Sequence, residues 1–384
     1  MPDLAPLLTP ERHELVELVR DLHSHASPWV PSGLGNHLHW GPQTHVASSV
    51  LSLRNHNQVL EHAAGDFTLE VQAGLPLNEL QQLLAEKGQW LPIDPPVAGE
   101  SSIGGIVARG VSGPLRHRYM GLRDQLIGLS LLRSDGTAAK AGGRVVKNVA
   151  GYDLMRLLCG SWGSLGLITS LTLRTQPLPS RRRQLKLSGP GESLQQLRQE
   201  LLLRCPVALE RFCWQQQNQE PQLVVNLVSL SDEAANQQQQ QLEQLGGGAI
   251  AIAAVELPEL STAPVAAGQW LLRLGLEPRR CLELLELQRS GPWQLELGAA
   301  SGLGLAQADA ATAAEHQVHT LRQQCQDLGG YMMVLQAPVP CHIPAWGDAP
   351  AKPLVEAIKR QFDPLQQLCR GRLPGVAPIE AMAL

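Results

Sequence analysis

The chain has 384 residues, 43% hydrophobic and 17% charged, with 35 acidic against 31 basic side chains and a net charge of −4. That length favours two domains and a core large enough to need no disulfide or metal staple. The slight acidic excess argues against a dedicated nucleic-acid binder, which gathers basic charge on one face.

Residues 1–10 lack the basic-then-apolar order of a secretory leader, so a cytosolic-type protein is expected. Thr9-Pro10 reads as a helix start, followed by Leu15, Leu18, Val19 and Leu22 at helical spacing. After a loop containing Pro31-Ser32-Gly33-Leu34-Gly35-Asn36-His37, residues 68–73 alternate polar and apolar as a half-buried strand does. Pro76 opens a helix with Leu77, Leu80, Leu83 and Leu84 on one face and Gly88 just beyond its end. Residues 101–113 read as a glycine- and serine-punctuated loop. Residues 125–132 read as a strand that turns at Asp135-Gly136. A short helix over 153–158 precedes a glycine-rich stretch, 160–166, and a strand running to Arg174.

Pro177 to Pro179 mark a boundary, and the run Arg181-Arg182-Arg183 reads as a solvated linker. Beyond it the sequence is rich in glutamine, with strands expected at 223–230 and 270–274 among leucine-patterned helices. The most apolar run, 249–255, is far too short to cross a bilayer, so no integral membrane segment is expected. Residues 353–373 read as a helical C-terminal tail. The expected fold class is therefore α+β: a domain over 1–177, a smaller α+β domain over 178–350, and a tail over 351–384 packing back on the first.

Seven cysteines without any Cys-x-x-Cys pair fit neither a disulfide framework nor a metal or iron–sulfur site. Nine of the twelve histidines precede residue 120, but pairs such as His23-x-His25 and His37-x-His39 offer no ligand set, so no metal is expected. Gly33-x-Gly35 continues to Leu38 where a dinucleotide fingerprint needs a third glycine. Neither a Walker loop nor a Gly-x-Ser-x-Gly elbow is present.

Four glycine clusters remain: residues 32–37, Gly104-Gly105, Ser112-Gly113 and residues 160–166. A single cluster is more often a turn. Four in one domain suggest backbone N–H groups converging at several points on a long ligand that contains a pyrophosphate.

These clusters sit inside a longer series. Residues 31–37, 68–80, 91–96, 102–108, 112–116, 121–124 and 163–169 occur in an order and spacing that resemble the PCMH-type FAD-binding domain of the vanillyl-alcohol oxidase and p-cresol methylhydroxylase superfamily. The likeness runs through most of residues 30–177. Within that superfamily, residues 142–154 and the Phe362-Asp363-Pro364…Gly371-Arg372-Leu373 ending resemble the smaller flavin subunit of bacterial glycolate oxidases. Residues 180–350 carry no motif that aligns.

The resemblance implies a two-subdomain FAD domain and the sites that go with it. Gly33, Leu34, Gly35, Asn36 and His37 would hold the FAD pyrophosphate. Pro95, Gly104, Gly105, Ser112 and Gly113 would line the flavin and diphosphate, and Asp124 would be a further cofactor-binding residue. Gly163, Gly166 and Ile168 would hold the ribose and adenine side. Some relatives attach FAD through a histidine, but those of the glycolate-oxidase kind carry lysine at the position matched to His37, so a non-covalent flavin is expected.

Oxidising a small 2-hydroxy acid needs a cation for the carboxylate and a base for the hydroxyl proton. Arg109, Arg116, His117, Arg118 and Arg123 are candidates by position. The blander alternative, favoured here, is an Arg123–Asp124 ion pair and a solvated loop over 116–118. The metal-binding His/Glu set of larger relatives is not recognisable. Two functions follow: an FAD-dependent 2-hydroxy-acid oxidoreductase working in a complex, or a flavin subunit that relays electrons or supports assembly. In both, a larger flavoprotein subunit and an iron–sulfur subunit are the expected partners, through which the chain would lie peripheral to a membrane.

Overall fold

The computed structural model describes residues 6–42, 49–96, 101–143, 153–204, 206–217, 220–256, 266, 268–348 and 350–373. Most of the 142–154 motif and Cys205 fall outside them. The chain forms two compact units. The first comprises Met1–Val111, Gly121–Pro177 and Trp346–Leu384; the second comprises Ser112–Met120 and Leu178–Ala345. The α+β class expected from the sequence is what the structure has, with helices and sheets in both units.

In the first unit, Leu7–Leu8, Ser49–Ser52 and Trp29–Ser32 form a three-stranded parallel sheet with Ser49–Ser52 in the centre. A five-stranded antiparallel sheet runs in the order Val59–Ala63, Thr68–Gln72, Leu167–Arg174, Leu126–Leu132, Ala138–Gly142. The helix Leu15–Ser24 buries Leu15, Val19 and Leu22, one stripe at helical spacing. It starts later than Thr9-Pro10 predicts, because the Glu14 carboxylate accepts the Glu11 N–H at 2.8 Å and holds a turn ahead of it. The helix Leu77–Ala85 buries Leu77, Leu80 and Leu84 and leaves Leu83 exposed.

Two expectations change here for physical reasons. Thr68–Gln72 is buried along its whole length rather than on one face. It lies between two partner strands, and Gln72 answers its burial by accepting the Gln58 N–H at 2.9 Å. The stretch from Ser101, read as a loop, contains the helix Ile103–Arg109. Ser102 caps it by accepting the Gly105 N–H at 3.2 Å, and Gly110 ends it in a left-handed conformation at φ 63°.

The second unit is an eight-stranded antiparallel sheet in the order Ala251–Val255, Arg181–Ser188, Glu220–Ser229, Leu209–Gln217, Gln294–Gly298, Leu303–Asp309, Gln269–Gly275, Tyr331–Gln336. Its helices bury leucines such as Leu194, Leu197 and Leu201 in a core separate from that of the first unit. The arginine run is strand, not linker. Arg182 forms a two-pronged ion pair with Glu210, whose side chain is fully buried, and Arg183 donates to Asn236 and Gln239.

Ser112–Met120 belongs to this second unit rather than to the domain that surrounds it in sequence. Tyr119 donates to Glu210 at 2.8 Å, and the His117 ring meets Phe212 edge-on at 5.8 Å. Among the described residues no helix is long and apolar enough to cross a membrane. The described cysteines are all free; burial pushes the Cys281 and Cys325 thiols up to about 12, which keeps them inert.

Candidate functional site

The strand Trp29–Ser32 runs into a loop through Gly33, Leu34, Gly35, Asn36 and His37. Its start is pinned from the neighbouring strand: the Leu53 N–H donates to Ser32 O at 2.9 Å, and Ser52 Oγ donates to Gly33 O at 2.7 Å. Gly33 passes so close to the helix cap that a Cβ there would lie 1.8 Å from Ser102 Oγ. Gly35 takes φ +87°, where a side chain would be strained.

The second wall is the helix Ile103–Arg109. Its first turn is tied to the segment that follows the strand Thr68–Gln72 by Ile103 N–H to Leu75 O at 2.9 Å and Gly104 N–H to Ala73 O at 2.8 Å. At its other end Arg109 donates through Nη2 to Ser101 Oγ at 3.0 Å and lies 5.3 Å from the Trp40 ring centroid. The third wall, residues 162–168, is tied to the same helix by Trp162 N–H to Ala108 O at 2.8 Å.

These walls enclose a pocket with about 750 Å³ of free space, its open mouth included. Gly33, Leu34, Gly35, Asn36, His37, Gly104, Gly105, Arg109, Gly163, Gly166 and Ile168 all line it. The lining also includes Ser32 and Trp162, which lie inside two of the glycine clusters but were given no role of their own, and Arg372, which sequence reasoning did not place at the site. Other expected site residues lie elsewhere. Pro95 is buried but does not line the pocket. Asp124 accepts the Gly121 N–H within its own helical turn, and Arg123 is exposed. Ser112, Gly113, Arg116 and His117 belong to the second unit.

The pocket is cationic. Among its described lining residues are two arginines, Arg109 and Arg372, and no carboxylate. Burial and the charge of Arg372 push Arg109 down to about 10, so it keeps its proton at neutral pH. Burial, Arg109 and His39 hold His37 down at about 3, so its ring is neutral there. Two buried polar atoms of the lining, Ser32 Oγ and Arg372 Nε, have no hydrogen-bond partner among the described residues. Leaving such groups unmade costs free energy, so a ligand with anionic oxygens suits them. Backbone passing without side chains, two cations and two waiting donors together fit an extended cofactor with a diphosphate.

Residues 7–142 match the family model described as FAD binding domain. The first unit therefore carries an FAD-binding domain. Its cofactor is FAD, and the residues of the pocket fit that group. The glycolate oxidase subunit GlcE of Escherichia coli is 34% identical over 178 residues, 45% of this chain and 50% of that protein. The glycolate oxidase subunit GlcD of Bacillus subtilis is 33% identical over 187 residues, 48% of this chain and 39% of that one. A D-2-hydroxyglutarate dehydrogenase of Xanthomonas citri is 36% identical over 177 residues, 46% of this chain and 38% of that one. The chain thus spans half or less of the length of these curated relatives.

Among solved structures, an alkyldihydroxyacetonephosphate synthase superposes with a TM-score of 0.67 over 95% of this chain and 76% of that one, at 14% identity. At that identity the likeness shows the fold alone.

Proposed function

We propose that this chain is the FAD-binding subunit of a multi-subunit oxidoreductase acting on a small 2-hydroxy acid, with glycolate as the first candidate. The observation that carries this reading is a glycine-lined pocket in the FAD-binding domain with two arginines and, among its described lining residues, no carboxylate. Its support in the comparisons is chemical: glycolate and D-2-hydroxyglutarate, in the relatives' names, are both 2-hydroxy acids.

Bound in the pocket, FAD supplies an acceptor for the substrate hydride. Residues 33–37 line the pocket, and their backbone N–H groups would hold its diphosphate. Arg109, locked by Ser101 and Trp40, sets the positive field without spending freedom on reorientation. His37 stays neutral and adds no further charge. FAD is held without a covalent bond, so acid precipitation of loaded protein releases the yellow colour into the supernatant; colour retained in the pellet overturns that point.

One observation favours the relay version of this function. Among the described lining residues His37 is the only side chain able to take a proton, and doing so would place a cation beside Arg109. The described lining therefore offers no base tuned near neutral pH for the substrate hydroxyl. On this version a larger flavoprotein subunit would oxidise the acid, and the FAD held by this chain would supply an electron carrier between it and an iron–sulfur subunit.

The test is anaerobic flavin bleaching by glycolate, D-lactate and D-2-hydroxyglutarate, with the isolated FAD-loaded chain and with the complex that copurifies with it. Bleaching of the isolated chain supports direct oxidation. Bleaching only in the complex supports relay. No bleaching in either, with any of the three acids, overturns the proposed function.

A further inference from the structure

We propose that Arg372 is a direct partner of the FAD diphosphate, and that the segment after the helix Lys352–Phe362 is built to hold it there. This rests on FAD occupying the pocket described above, and it adds a residue more than three hundred positions from the glycine loop.

Arg372 is 6% exposed, yet it sits in the pocket lining. One arm of its guanidinium, Nη2, donates to Leu38 O, which ties it to the end of the glycine loop. Its Nε has no partner among the described residues, and the Ser32 hydroxyl on the same pocket is also unanswered. A buried guanidinium with one arm anchored and one donor free is poised for an anionic oxygen. Arg109, the pocket's other cation, is already engaged by Ser101 and Trp40.

The segment before Arg372 is held by a buried knot. Lys359 Nζ donates to Asp363 Oδ2 at 2.6 Å, Ser164 O at 2.8 Å and Leu368 O at 2.7 Å. Asp363 in turn accepts the N–H groups of Gln367 and Leu368. The Trp29 N–H donates to Gln367 O at 2.9 Å and the Cys369 N–H to Trp29 O at 3.2 Å, beside the strand that feeds the glycine loop. Ser164 belongs to the third wall. The knot thus clamps the segment to two of the pocket's walls and fixes where Arg372 arrives.

The test is FAD affinity of the apoprotein, read by flavin fluorescence, for wild type, R372Q and R372M, together with the reduction potential of the flavin that binds. Both variants should bind FAD about ten- to a hundredfold more weakly, with the potential unchanged. Variants that bind within about twofold of wild type overturn the role of Arg372 while leaving the FAD-binding domain intact. A shifted potential at unchanged affinity places Arg372 at the ring and also overturns it. Wild-type apoprotein that takes up no FAD overturns the pocket assignment itself. Hydrogen exchange on the wild-type chain gives a reading independent of whether the variants fold: added FAD should slow amide exchange across residues 363–373 at least about tenfold, and unchanged exchange there overturns the proposal.

Discussion

At the scale of single residues, the glycine loop is specified by what it must pass rather than by flexibility. A Cβ at Gly33 would lie 1.8 Å from Ser102 Oγ, so Gly33→Ala must displace the hydroxyl that caps the helix Ile103–Arg109. The expected loss is about 1–3 kcal/mol of stability together with weaker FAD uptake, measured by urea unfolding and flavin titration; a fully stable, fully loaded variant would contradict it. His37 makes a prediction about pH. Its folded value of about 3 lies below the ordinary 6.5, so between those values the unfolded chain binds a proton the folded chain does not. Apoprotein stability therefore rises with pH through that window and is lost as pH falls from 6.5 toward 3. Replacing His37 with Gln should flatten the acid side of the melting curve. A curve of unchanged slope would show that the ring is not held neutral.

At the scale of elements, the strongest single dependence is the Lys359–Asp363 pair. Both side chains are buried, 3% and 0% exposed, and each also satisfies backbone groups. Lys359→Met leaves a buried carboxylate without its cation, so a loss of about 3–5 kcal/mol is expected in denaturant unfolding; a loss under about 1 kcal/mol would mean the pair is unimportant to the fold. What the sequence revealed at this scale depended on range. Apolar periodicity located the helix Leu77–Ala85, and Asp135-Gly136 located the turn between Leu126–Leu132 and Ala138–Gly142, because both are decided by neighbours in the chain. The arginine run was misleading because its partner, Glu210, lies 28 residues from Arg182 and is buried. Ser101 to Gly113 looked like loop because its glycines are counted by local propensity, whereas the Gly104 N–H donates to Ala73 O, just past the strand Thr68–Gln72 and far away in sequence. Arg372 stood in an ending that resembled a flavin subunit, but nothing local placed it in the pocket: its partner is Leu38.

At the scale of the whole molecule, two units with separate cores should answer the cofactor separately. A ligand that binds one folded unit raises that unit's unfolding temperature by mass action. Calorimetry across a range of FAD concentrations should show one transition moving upward and another staying fixed; a single transition that moves as one would mean the units unfold together. The order of the chain adds something more. The FAD-binding unit is assembled from three stretches, the last of which begins at Trp346, and its core includes Leu368 and Leu373. During synthesis on the ribosome, the antiparallel sheet of the other unit, which ends at Gln336, emerges while the pocket still lacks Arg372. The nascent protein must therefore keep its cofactor site unfinished until Arg372 has emerged, and flavin capture follows the folding of the other unit's sheet rather than preceding it.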